Sequence, residues 1–269
     1  MLLAQTSPLA GDALWPVVLA SLSLVGLALA LSWWWGMRIE REVAIASVRA
    51  AIQLLAVGVL FTFIFEADAA MVFALTWVVV MVVVAGIVVR RRAPDTIEYL
   101  PVAAFAAVAG TAGISLLVTF GFGVFKWEPV SVVVVAGITI GNAVPSAVLG
   151  AKTAVTTCRD RSGEIEGALA LGMSRRQVIR FFGPRAASAS ILPQVERTKV
   201  VGLIALPGAM TGLLLAGVAA FDAVVIQLVV MYLVLGTAAV CVVVLVATVV
   251  RASVSDDLQL SDWVGLDAD

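Results

Sequence analysis

The sequence predicts an all-α integral membrane protein, a bundle of about seven transmembrane helices with a helix–turn–helix segment in the cytoplasm. Three observations predict it. Hydrophobic residues make up 62% of the 269 positions and charged residues only 13%, where a soluble domain carries about 25% charge. Uncharged stretches long enough to cross ~30 Å of hydrocarbon recur along the chain. The basic residues gather beside alternate stretches, the bias that marks cytoplasmic loops.

The expected spans cover residues 14–35, 43–65, 69–89, 99–125, 129–151, 200–221 and 223–250, within one permease-like domain over 1–251. Unpaired backbone groups are costly in lipid, so each span is expected to be helical. That requirement outweighs the strand preference of runs such as Val78–Val80 and Val132–Val135. The first span lacks a basic leader and reads as a membrane anchor, not a cleaved signal. With the amino terminus outside, every basic residue except Lys126 falls on the cytoplasmic side or at a cytoplasmic span end. This orientation places the carboxyl terminus in the cytoplasm and the whole chain in the cell membrane. The outer loops are acidic, with Asp12, Glu66, Asp68, Glu128 and Asp222.

One connection is long. Residues 152–199 are mixed polar and apolar, and an unstructured loop of that size is unusual. Residues 164–171 are good helix formers with acidic groups in the first turn. Gly172 is placed to end that helix, and Ser174 with Gln177 has capping-box spacing for a second one running to Phe182. Gly183-Pro184 is expected to stop it. Ile165, Ala168 and Leu169 form an apolar stripe on the first helix, and Val178, Ile179 and Phe182 form one on the second. Such a pair either lies on the inner leaflet or inserts its stripe into the groove of a cytoplasmic partner. The tail, 252–269, carries five aspartates and is expected to be solvated and partly ordered.

Inside the spans few polar groups are available. Arg49 sits about 9 Å from the start of its span, near enough to snorkel or to pair with Glu40 or Glu42. Alternatively it meets an anionic substrate or forms a gate. Gln53, Asn142, Met210, Thr211, Gln227 and Met231 are further candidates for a substrate pathway, with Tyr232 beside Met231. Pro145 and Pro207 free backbone carbonyls near Asn142 and near Gly208 and Gly212. The glycines equally suit a close helix–helix contact. The chain has no histidine and no carboxylate deep in a span, so a bare hard cation finds few ligands. The same shortage disfavours intramembrane hydrolysis and proton-coupled transport. Cys158 and Cys241 fall in different compartments and are not expected to pair.

Two resemblances bear on function. The run Glu166-Gly167-Ala168-Leu169-Ala170-Leu171-Gly172, with Pro184 beyond it, resembles the coupling segment of ABC-transporter permeases. More specifically, Arg49 to Leu54, Gly141-Asn142, Glu164 to Gly172, Gln227 and Met231-Tyr232 look like the FetB-type permease family. So does the continuous stretch from Gln194 through Lys199, Gly202 and Pro207 to Gly212. That family comprises iron-export permeases and plant aluminium-tolerance relatives, and the likeness runs from about Arg38 to Arg251. It implies a non-enzymatic permease subunit, working as a homodimer in the lipid bilayer with a cytoplasmic ABC ATPase and with no nucleic acid. The cargo would be a metal ion such as iron or a metal complex, the alternatives being a small anionic metabolite such as a nucleotide sugar or a self-contained secondary transporter. Coupling to the ATPase would fall on Glu164, Glu166, Ala168, Leu169, Gly172 and Ser174. The chain contains no Gly-x-x-x-x-Gly-Lys-Ser/Thr phosphate loop, so it holds no cofactor of its own by that route and ATP would bind the partner subunit.

Overall fold

Long apolar stretches without lipid-tolerable alternatives should fold as helices, and the computed structural model, which describes residues 14–92, 97 and 99–265, is helical throughout its long elements. In chain order these are α1 (Leu14–Trp35), α2 (Glu40–Glu66), α3 (Ala70–Arg92), α4 (Leu100–Gly121) and α5 (Pro129–Asp160). They are followed by α6 (Ser162–Ala170), α7 (Arg175–Val200), α8 (Gly208–Leu215), α9 (Ala220–Ala252) and α10 (Asp262–Gly265). Among the described residues six helices, α1 to α5 and α9, are long and apolar enough to cross a membrane. Asp12, Asp267 and Asp269 lie outside the described residues.

The chain divides into two units, Met1–Asp68 and Ala69–Asp269. In the first, α1 and α2 pack together, and Ser32 Oγ donates to Glu40 at 2.8 Å across the turn that joins them. Trp33, Trp34 and Trp35 at the end of α1 are each more than three-quarters exposed, the placement of interfacial anchors.

In the second unit α5 and α9 form the central pair, with α3, α4 and α7 packed around them. Small residues set the spacing. A Cβ at Gly150 of α5 would rest 3.5 Å from Val242 and Val246 of α9, while one at Gly86 of α3 would overlap the Phe105 ring of α4 at 2.4 Å. Buried hydroxyls are satisfied largely inside their own helices. Thr139 Oγ1 also donates to Ser115 Oγ at 3.1 Å, tying α5 to α4. Cys158 and Cys241 are free and buried.

Two expectations are corrected. The stretch 200–221 is not a continuous span. Helix α7 ends at Val200, a turn follows, α8 is only eight residues long, and Ala216–Ala219 leads into α9. Gly202 adopts φ +89, and its N–H donates to Ala205 O at 2.9 Å, a turn open chiefly to glycine. Second, α7 does not stop at Gly183-Pro184. It runs through Pro184 and Pro193, because proline costs a helix one backbone bond and burial of Val178, Phe182, Gly183, Ala186, Ser190 and Gln194 on one face holds the rest in place. Helix α5 likewise passes Pro145 unbroken. The tail, expected to be partly ordered, is folded as far as Gly265. Trp263 Nε1 donates to Ala252 O at 2.9 Å, and Val264 is 4% exposed.

The path of α7 follows from its neighbours. Arg175 meets Asp256 just beyond α9, Gly183 faces Val246, and Ser190 meets Gly150. Near its end, residues 194–198 share a cavity with Gln227 and Met231. So α7 runs antiparallel to α9. Helix α8 lines a further cavity with Phe125, Val134 and Ile226.

Candidate functional site

Two features stand at opposite ends of α7. At its start α6, a tight turn and the first turns of α7 form a knuckle. Helix α6 ends at Ala170, and Gly172 takes φ +85. Gly172 N–H donates to Leu169 O at 2.9 Å and Met173 N–H to Ala168 O at 3.0 Å, the paired bonds of a Schellman close. The next helix opens with Gln177 Oε1 accepting from Ser174 N at 2.7 Å and from Ser174 Oγ at 2.8 Å. Arg161 Nε donates to Glu164 Oε1 at 2.9 Å. This bond holds the Glu164 carboxyl below its ordinary value, opposed by a smaller desolvation effect.

The apolar stripes of this knuckle do not face a partner. Ile165 and Val178 are fully buried and Phe182 is 1% exposed, and Ala168, Leu169 and Ile179 pack on the same core. The stripes are used to fasten the knuckle to the bundle, because the nearest apolar surface is its own chain. What remains exposed is Glu166, Arg176, Arg180 and Gly172, with Leu171 86% and Phe181 60% exposed. An apolar tip ringed by charge thus stands at the turn.

At the other end, a cavity of about 430 Å³ opens where α7 gives way to α8, walled by α5 and α9. Asn142, Pro207, Gln227 and Met231, four of the sequence candidates, line it. Gln194, Arg197 and Thr198 line it as well. Sequence reasoning missed these three because the charge pattern assigned them to a cytoplasmic loop. The usable signal was the polar run Gln194 to Lys199 directly abutting Gly202 and Pro207.

The polar groups here are incompletely engaged. Asn142 Nδ2 donates to Ile138 O at 2.8 Å. Gln227 is 8% exposed, yet its Oε1 has no hydrogen-bond partner. Among the described residues no carboxylate lines the cavity. Neighbouring Glu196 accepts instead from Lys199 at 2.7 Å.

The other candidates lie elsewhere. Thr211 Oγ1 donates to Gly208 O at 2.9 Å within α8, and neither it nor Met210 lines the cavity. Tyr232 is 62% exposed. A Cβ at Gly208 or Gly212 would meet nothing within 4 Å, so these glycines make no close helix contact within the chain. They border open space instead. Arg49 and Gln53 line a shallow groove on α2, in the other unit, and among the described residues Arg49 makes no ion pair with Glu40 or Glu42.

Comparison with known proteins finds membrane proteins among the relatives of this chain. The chain is 34% identical over 221 residues to the "UPF0014 membrane protein STAR2" of rice, spanning 82% of this chain and 77% of the relative. It is 33% identical to "Protein ALUMINUM SENSITIVE 3" of Arabidopsis thaliana, over 82% of this chain and 80% of the relative. To the "Probable iron export permease protein FetB" of Escherichia coli it is 29% identical, over 81% and 83% respectively. No solved structure matches the chain. The model of the Uncharacterised protein family (UPF0014) matches residues 15–254, so this multi-pass membrane protein belongs to that family.

Proposed function

We propose that the chain is the membrane-spanning permease subunit of an ATP-driven exporter whose ATPase is a separate cytoplasmic protein. One observation carries the reading. The knuckle and the polar cavity are the two ends of a single helix, α7, whose 26 residues span about 39 Å. A motor gripping Leu171 and its charged surround would move α7 as a lever, and the displacement would arrive at Gln194, Arg197 and Thr198 without crossing a flexible joint. The knuckle's buried stripe makes the grip firm, since moving it relative to α5 would expose Ile165, Val178 and Phe182.

In this reading the basic ends of α3, α5 and α9 face the cytoplasm, the amino terminus lies outside, and two permease copies meet two ATPase copies. The cargo is a metal complex in preference to a bare cation. Among the described residues no three of His, Cys, Asp and Glu come together as a metal site, so a complex bringing its own ligands suits the cavity better. The name of the Escherichia coli relative supports iron as the metal.

The test is co-purification with ABC ATPase subunits of the same organism, followed by ATPase assays in proteoliposomes. Binding that Leu171→Asp abolishes, with normal membrane insertion, is the expected result. Tight ATPase binding by both Leu171→Asp and Glu166→Lys would overturn the assignment of the knuckle.

A further inference from the structure

We propose that the cavity at the α7–α8 break is an oxyanion site, in which the Arg197 guanidinium and the first backbone amides of α8 hold a phosphate- or carboxylate-bearing group of the cargo. The inference rests on the transporter reading above and names the chemistry its cargo must present.

Location comes first. Asn142 and Gln227, which share this cavity with Arg197, belong to uncharged stretches of α5 and α9. Arg197 itself is exposed, and a cation beside such stretches is costly in lipid unless something compensates it. Among the described residues no ion pair involves Arg197, and Glu196, its neighbour in sequence, pairs with Lys199. The charge of Arg197 is therefore free to meet a ligand.

Helix α8 supplies the second element. Its first internal bond is Thr211 N–H to Pro207 O at 3.0 Å, so the N–H groups of Gly208, Ala209 and Met210 precede the hydrogen-bonded ladder. Among the described residues no side chain caps them. Gly208 and Ala209 line the cavity, and a Cβ at Gly208 would meet nothing within 4 Å, which leaves these amides open to approach. A helix start of this kind favours negative charge.

The third element is Gln227. It is more than nine-tenths buried, with an unpartnered amide oxygen in the cavity wall. A buried amide left without a partner is costly. A side-chain amide can offer either its oxygen or its nitrogen, so it serves the protonated or the bare oxygen of an oxyanion. Thr198 does not compete for the ligand through its proton, which it gives to Gln194 O at 2.9 Å. Guanidinium, helix start and free amide thus converge from α7, α8 and α9 on a space without a carboxylate. That combination selects a planar or tetrahedral oxyanion over a cation.

The test uses the full chain in phosphatidylcholine nanodiscs, without the ATPase, titrated calorimetrically with inorganic phosphate and with citrate at fixed ionic strength. Saturable binding of either is expected, weakened at least tenfold in Arg197→Gln and partly kept in Arg197→Lys. Lys152→Gln, exposed near the end of α5, should leave it unchanged. Should Arg197→Gln fold poorly, Gln227→Glu places a carboxylate in the cavity and should also weaken binding. No saturable binding, or equal binding by wild type, Arg197→Gln and Gln227→Glu, overturns the proposal. A second arm separates cargo from lipid. Nanodiscs containing phosphatidylglycerol are examined by native mass spectrometry. Displacement of retained lipid by phosphate or citrate supports the cargo assignment, whereas Arg197-dependent lipid that neither anion displaces assigns the site to a headgroup and overturns it. Binding is read without the motor, so failure here leaves ATPase co-purification, and the permease reading, separately testable.

Discussion

Arg175 Nη2 lies 2.9 Å from Asp256 Oδ1 and also donates to the carbonyl of Ser255. The first residue of α7 is thereby fastened to the carboxy-terminal segment, which Trp263 in turn fixes to the end of α9. The tail braces the knuckle.

The two contacts of that brace should differ in weight. Asp256 is almost fully exposed, and exposed ion pairs contribute about 0–1 kcal/mol, so Asp256→Ala should barely move the thermal midpoint. Trp263 packs against the core and bonds Ala252. Trp263→Ala should lower stability by about 2–3 kcal/mol, toward the low end for large aromatic truncations because the ring is only half-buried. Thermal unfolding in detergent compares the two.

The contact of Gly86 with Phe105 makes a second prediction. Any side chain at position 86 meets the ring, and overpacking of this kind costs about 1–3 kcal/mol. Gly86→Ala should therefore destabilise the α3–α4 pair, and Phe105→Leu added to it should recover part of the loss. Equal effects of Gly86→Ala in both backgrounds would show that the ring yields freely.

At Gly172 the backbone itself sets the cost. With φ +85, a β-carbon is strained, and Gly172→Ala should cost about 1 kcal/mol. The strain falls on the turn that presents Leu171, so ATPase stimulation should drop more than the thermal midpoint does. Gly172→Pro should abolish coupling and leave membrane insertion intact, as followed by protease protection and ATPase assays.

The Arg161–Glu164 pair gives a pH dependence. The carboxyl titrates below its ordinary value because Arg161 bonds its charged form. The support it gives to α6 is thus fully present above the ordinary carboxylate value. It is lost as the pH falls through the depressed one. Hydrogen exchange across residues 162–170 should accelerate over that acidic window relative to Glu164→Gln measured at each pH. Superimposable profiles for the two proteins would remove the pair from any role in α6.

The spans were legible because charge is so costly in lipid that an uncharged stretch marks its own limits. The boundaries of α1, α3 and α4 follow almost directly. The turn at Gly172 and the start at Ser174 were legible because cap chemistry is local. The stretch 200–221 misled for the same reason the others informed. Hydropathy counts Gly202, Pro207, Gly208, Gly212 and Gly217 as harmless, although together they deny the segment a continuous helix. Conversely, Gly183 and Pro184 read as a stop, yet a buried face and a long partner helix carried α7 past them. The cavity was half legible. Asn142, Gln227, Pro207 and Met231 stood out as polar, soft or helix-breaking residues among apolar neighbours. Gln194, Arg197 and Thr198 did not, since a charged run beside a span looks like a loop until the helix is seen to turn inward.

An uninterrupted α7 also fixes the phase between its ends. Each residue turns an α-helix by about 100°, so a single insertion between Phe182 and Gln194 would swing Arg197 out of its cavity while leaving Leu171 where a motor expects it. Seven inserted residues would restore the angle to within about 20° but displace the guanidinium by roughly 10 Å. Length and phase are thereby locked together, and natural variation in this protein's sixth and seventh helices should tolerate substitution far more readily than any change in residue count.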